Sequence, residues 1–270
     1  MLPTPPTRSP VVADLNPVEP LVALRRICKS FHGAAALCDI DFCLYPGEVV
    51  ALLGDNGAGK STLVKILSGV ITADSGEMRI KGAAVDIRRF TVQTARGLGV
   101  ETVHQDRSLG ERQPLWRNVF MGRHRTNRLG FIDVARERAE TLDILHGRLG
   151  LRGPGLDADA EVGVLSGGER QGLAIGRAMH FQADIVILDE PTTALSLTEV
   201  GKVLEFIGQV RAEGKACLFI SHNMAHAYMA ADRFFLLDRG ACIGQYAKSE
   251  LSQEGLLRAL MDAASGRAGA

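Results

Sequence analysis

The segment Gly54-Asp55-Asn56-Gly57-Ala58-Gly59-Lys60-Ser61 constrains this chain more than any other. It fits G-x-x-x-x-G-K-[ST]. It stands between the apolar run Val49-Val50-Ala51-Leu52-Leu53 and residues 61–68, whose apolar positions have helical spacing. The run is apolar at every position, as a strand covered on both faces of a parallel sheet must be. Glycines at this spacing let the backbone curl so that successive N–H groups converge on phosphate oxygens, and the helix start adds its partial positive charge. Lys60 is expected to reach the β- and γ-phosphates, and the Ser61 hydroxyl to help hold Mg²⁺.

A second buried run, residues 185–188, ends in Asp189-Glu190-Pro191. In a doubly wound sheet, ligands bind outside the carboxyl ends of the strands. Two carboxylates there suit two tasks: Asp189 to anchor Mg²⁺ through a water, and Glu190 to polarise the water that attacks the γ-phosphate. To this point the chain reads as a Mg-ATPase or a Mg-GTPase. Strand patterns at residues 21–31, 40–44, 217–220 and 234–238 alternate with helical ones at 134–149, 169–179 and 197–212. That alternation predicts an α/β fold with a mostly parallel sheet.

Composition removes several classes. Basic and acidic residues balance at 31 each, which argues against a general nucleic-acid binder. No run of about 18 apolar residues is present, so a membrane span is not expected. The N-terminus does not read as a secretory signal. Five cysteines without a C-x-x-C pair are expected to be reduced, buried thiols of a cytoplasmic protein rather than zinc ligands or disulfides. His222 and His226, four apart on an expected helix, lack the glutamate a zinc pair would need after the first histidine. Six of the ten prolines fall in residues 1–20, which are expected to be a disordered tail.

Leu165-Ser166-Gly167-Gly168-Glu169-Arg170-Gln171 narrows the class. Ser166 is a good N-cap with glycines behind it, so this is a second anion-binding helix start in one chain. One nucleotide is cradled by its own loop, and a second cradle suits a nucleotide held by another subunit. With the loop at 54–61, in the same order, LSGGERQ resembles the signature motif of ATP-binding-cassette (ABC) ATPases, over about residues 21–260.

The resemblance implies a P-loop core with a mostly parallel sheet, an antiparallel β subdomain and an inserted helical subdomain. It divides the chain into a tail at 1–20, a nucleotide-binding domain at 21–264 and a flexible end at 265–270. Within the domain, 21–104 and 176–264 are the catalytic core and 105–175 the helical subdomain. ATP and Mg²⁺ are the implied ligands. Gly54, Asp55, Asn56, Gly57, Ala58, Gly59, Lys60, Ser61 and Thr62 would contact nucleotide, and Phe31 would stack on adenine. Ser61, Gln105 and Asp189 would serve Mg²⁺, and Gln105 would sense it. Glu190 would be the catalytic carboxylate and His222 the switch histidine at the γ-phosphate. Ser166, Gly167 and Gly168 would face the γ-phosphate across a head-to-tail dimer. Ser196 departs from the family's usual Leu-Asp and cannot supply that aspartate's charge to the opposing subunit.

The segment 107–123 and the Ser221-His222-Asn223-Met224 run resemble ATPases of ribose/xylose/fructose importers, fructose type most of all. The expected unit is therefore two copies, or this chain with a homologous ATPase. Its partners would be an integral-membrane permease and, indirectly, a periplasmic or extracellular sugar-binding protein. Its place would be the cytoplasmic face of the membrane, peripheral. Six arginines against one acid between residues 107 and 128, with Trp116 among them, suit a docking surface for the permease; the alternative is a solvated arginine face with Trp116 in the small subdomain's core. An iron–sulfur assembly ATPase would share the catalytic motifs and is the alternative. Chromosome-maintenance ATPases need a long coiled-coil insertion, and only 105 residues separate Lys60 from Ser166.

Overall fold

A computed structural model describes residues 18–103, 109–151 and 156–264. Among the described residues ten strands fall into two sheets. β1 (Val22–Phe31), β2 (Ala34–Leu44), β4 (Ser75–Ile80) and β5 (Ala83–Val85) form an antiparallel sheet in the order β2-β1-β4-β5. The second sheet contains β3 (Val49–Leu53), β6 (Val100–Val103), β7 (Ile185–Asp189), β8 (Ala216–Ile220), β9 (Arg233–Asp238) and β10 (Ala241–Ala247). Its order is β10-β9-β3-β8-β7-β6, parallel throughout except for the β9–β10 hairpin.

The period of two along each strand decides what covers each face. Val50, Leu52, Ile185, Ile187, Leu218 and Phe235 share one apolar cluster with the antiparallel sheet and with α1 (Lys60–Leu67). Their neighbours Val49, Ala51, Leu53, Val186, Phe219 and Phe234 share another with helices. Those helices are α5 (Gly167–His180), α6 (Leu197–Ala212), α7 (Met224–Ala230) and α8 (Gln253–Ala264). The parallel sheet is thus the middle layer, which is why all five residues of β3 are buried.

A third apolar cluster joins α3 (Leu115–Phe120), a helical turn at Asp143–Arg148 and the start of α5, through Leu115, Phe120, Ile144, Leu145 and Leu173. Two further short helices are α2 (Val92–Gly97) and α4 (Val134–Leu142).

The structure corrects four sequence expectations. The helix expected at 134–149 ends as α4, and Asp143–Arg148 winds wider, as a π-helix. The wider turn buries the adjacent Ile144 and Leu145 together in one core. His222 lies before α7, whose N-cap is Asn223, so only His226 is helical. Of the five thiols only Cys43 and Cys217 are buried, Cys38 is exposed, and all five are free.

The fourth correction concerns Trp116, which is 7% exposed and donates its indole N–H to Asp159 at 3.2 Å. Arg138 holds the same carboxylate at 2.7 Å. Trp116 therefore anchors its own subdomain and offers no surface to a partner. Trp116→Ala is expected to cost about 3 kcal/mol or more, a drop in Tm of roughly 6–12 °C for a chain of this size. A variant melting with the wild type would return Trp116 to the surface. Of the expected basic surface, Arg123 is engaged by Glu101 and Arg125 by Glu140. Arg112, Arg117 and Arg128 remain exposed, and Arg107 lies outside the described residues.

Candidate nucleotide site

The glycine-rich loop leaves the carboxyl end of β3, between β8 and β9, and enters α1. Gly54, Gly57 and Gly59 all have positive φ, at 150°, 84° and 105°. A side chain at Gly54 would overlap the Leu237 carbonyl of β9, so the loop start needs glycine on steric grounds as well. Lys60 is nearly buried, and its Nζ donates to the carbonyls of Gly54 at 2.6 Å and Asp55 at 3.0 Å. Burial pushes the lysine pKa below its ordinary value, against the charges of Glu190, Asp55 and Asp189.

A cavity of about 170 Å³ over the loop gathers Lys60, Ser61, Thr62, Asp189 and Glu190. Gly57, Ala58 and Gly59 line it too. A hydroxyl and a carboxylate facing a buried ammonium suit a hard, oxygen-seeking cation carried on phosphate. Ser61 and Asp189 thus fit Mg²⁺. A second cavity, of about 530 Å³, is shared by Gly54, Asp55, Asn56, Glu190 and His222 on one side and apolar residues of α8 on the other.

Glu190 connects the two cavities. Its φ of 52° is a left-handed value that glutamate adopts at a cost, the kind of strain held at functional positions. Its backbone N–H is tied to the Ile220 carbonyl at 3.0 Å, at the carboxyl end of β8. The Thr193 hydroxyl donates to Glu190 Oε2 at 3.2 Å, and His222 Nδ1 lies 3.1 Å from the same oxygen. Against an ionised carboxylate that ring nitrogen is the donor. His226 is turned elsewhere, to Thr192.

The remaining expected residues stand apart from this group. Ser166 caps α5 with Gly167 and Gly168 behind it, and none of the three lines either cavity. Phe31 is 43% exposed at the end of β1, with the Lys29 ammonium 5.5 Å from its ring centre, and also lines neither. Gln105 lies outside the described residues. Among the described residues no cluster of three or more His, Cys, Asp or Glu forms a metal centre.

Two residues escaped the sequence reading. Asp74 holds Lys29 at 2.6 Å and the Ser30 amide at 2.7 Å beside Phe31, contacts that draw its pKa to about 2. Glu199 ties the loop after Glu190 to the start of α5. Its signal was legible, since Ser196-x-x-Glu199 is a capping box. Asp74 had no local signal, because its partners lie more than forty residues earlier.

A family model described as ABC transporter matches residues 37–193. A xylose/arabinose import ATP-binding protein of Sulfolobus acidocaldarius is 39% identical over 92% of this chain and 96% of its own length. A fructose import ATP-binding protein of Rhizobium meliloti is 38% identical over 83% of this chain and 88% of its own. A ribose import ATP-binding protein of the same species is 38% identical over 92% of this chain, which spans only 48% of that protein. Among solved structures, a nucleotide-free ATP-binding cassette superposes with a TM-score of 0.78 at 20% identity, covering 93% of this chain and 98% of that one. A dimeric cassette bound to ADP and Pi superposes at 0.68 and 22%, covering 84% and 98%.

Proposed function

The chain belongs to the ABC transporter family as an ATP-hydrolysing transport subunit, and from that premise we propose that it drives uptake of a monosaccharide through a partner permease. The sugar would be of the ribose/xylose/fructose class, which rests on the relatives' names. One observation supports the two-copy mechanism: the helix start at Lys60, behind the glycine-rich loop, and the one at Ser166 do not share a cavity. A nucleotide on the first loop does not reach the second start, which would serve another copy's nucleotide.

In this account Lys60 and the loop amides hold the β- and γ-phosphates, and Phe31 receives the adenine. Mg²⁺, held by Ser61 and Asp189, would neutralise charge on the phosphates. Glu190 orients the attacking water and accepts its proton. His222 positions that carboxylate through Nδ1 and meets the γ-phosphate with its other nitrogen. Ser166 and Gly168 of the second copy close over the same phosphate, and hydrolysis reopens the pair.

The permease would seat in a groove beside α2. Val70, Val92 and Met121, at 52%, 37% and 43% exposure, line one groove of about 390 Å³ with Arg96, Glu101 and Arg177. The groove runs between the sheet core and the α3 region, which would be the helical subdomain. Movement of that subdomain on ATP binding would therefore reach the permease. The site is expected on the cytoplasmic face of the membrane, peripherally. Among the described residues no helix is long and apolar enough to cross it.

The test is capture. Glu190→Gln, tagged in its native host and solubilised with ATP in mild detergent, is expected to bring down a polytopic permease whose transported sugar names the substrate. A soluble scaffold complex with no membrane protein would overturn the importer. Met121→Glu in the same background is expected to lower permease recovery about tenfold or more, since it sets a carboxylate in an apolar contact. Its own Tm should stay near wild type, as surface substitutions do. Undiminished recovery would rule out the groove.

A further inference from the structure

Two helix starts abut beside the signature loop, and one carboxylate serves both. α5 opens with a capping box, in which Ser166 Oγ accepts the Glu169 amide at 3.3 Å and Glu169 Oε2 accepts the Ser166 amide at 2.9 Å. α6 opens the same way, with Glu199 Oε2 accepting the Ser196 amide at 3.0 Å and the Ser196 hydroxyl at 2.9 Å. That box uses only one oxygen of Glu199. The other, Oε1, accepts the amide of Gly168 at 3.1 Å, from a residue 31 positions away. The approach is close. A Cβ on Gly168 would stand 2.9 Å from the Glu199 Cβ, and one on Gly167 2.6 Å from Leu195 Cδ2.

The carboxylate is ionised at every physiological pH. The Ser196 amide, then the Gly168 amide and the Ser196 and Ser166 hydroxyls draw its pKa to about 2. Glu169, the neighbouring acid, faces Lys202 at 3.6 Å. The Gly168 amide is a first-turn donor of α5, one of the groups that make a helix start attractive to anions. One amide cannot give a full hydrogen bond to two anions at once.

We propose that Glu199 is the resident counter-anion of the signature loop, which the γ-phosphate of ATP on a second copy must displace from the Gly168 amide. Glu199 thereby sets the ATP concentration at which two copies close. This rests on the two-copy account above. It also gives Ser196 a consequence of its own. The charge missing from that position is carried one turn later, by Glu199, and is spent within the same chain, on its own signature loop. Because segment 195–199 follows directly from Glu190 and Thr193, the contact links one copy's catalytic loop to the cradle it offers the other.

The experiment titrates MgATP into full-length Glu190→Gln and reads the dimer fraction by light scattering. Adding Glu199→Gln keeps the side-chain shape and an oxygen for the Ser196 amide but removes the charge. Its half-saturating ATP is expected to fall about tenfold, as relief of a like-charge contact allows. Glu199→Ala removes charge and cap together and is expected to shift the same way, with a lower Tm. An unchanged or higher ATP requirement in both variants would overturn the proposal. A Glu190→Gln parent that never dimerises would instead overturn the two-copy account beneath it.

Discussion

Glu190→Gln lowers kcat for ATP hydrolysis by about 10²–10⁴-fold, the usual contribution of a positioned general base, while ATP binding stays within a few-fold of wild type. Glutamine has the same length and shape and adopts the same left-handed backbone, at φ 52°, as readily as glutamate does. Its amide oxygen can still accept from the Thr193 hydroxyl and from His222, which hold Glu190 now. What it cannot do is take the proton from the attacking water. Because Lys60, Ser61 and Asp189 are untouched, nucleotide and Mg²⁺ would bind as before. Single-turnover hydrolysis separates the steps, and a variant that turns over at the wild-type rate would remove Glu190 from the chemistry.

Gly54→Ala is expected to cost about 3 kcal/mol or more, combining overpacking with backbone strain. That is a fall of roughly 6–12 °C in Tm, with loss of ATP binding. The added methyl would overlap the carbonyl of Leu237, which is fully buried in β9 between β3 and β10. Leu236 pairs with Leu53 of β3 and Leu237 with Cys242 of β10, so the backbone there cannot readily withdraw. The residue also has φ 150°, which an L side chain rarely adopts. Gly57 is the control. It has φ 84°, but a Cβ there meets nothing within 4 Å. Gly57→Ala should cost about 1–2 kcal/mol from backbone strain alone. Equal melting of the two variants would show that steric fit at Gly54 does not hold the loop.

The catalytic half of the fold was legible because its signals are local. Val49–Leu53 and Ile185–Asp189 are apolar at successive positions, and the loops that follow them carry the phosphate and carboxylate motifs. α6 was readable to its ends from its apolar spacing and from Ser196 at its start. β6 was not readable, because Glu101 breaks its apolar run and is buried against Arg96 and Arg123, the latter 22 residues on. The β4–β5 hairpin has little apolar content on its outer face, and β10 owes its place to β9. Trp116 misled for the opposite reason. A lone tryptophan among arginines reads as an interface anchor, but the acceptor that buries it is Asp159, 43 positions away. At the site, the loop and Glu190 were legible as motifs and His222 through the resemblance, but the contact between Glu190 and His222 was not. The Gly168–Glu199 contact was not, since the capping box accounts for only one of the carboxylate's two oxygens.

The most direct test of the account is the solution mass of Glu190→Gln with and without MgATP. Two anion cradles that face different nucleotides predict a monomer that doubles in mass when ATP and Mg²⁺ are added and returns when they are removed. A chain that binds ATP stoichiometrically yet stays at monomer mass at saturating ATP would contradict it.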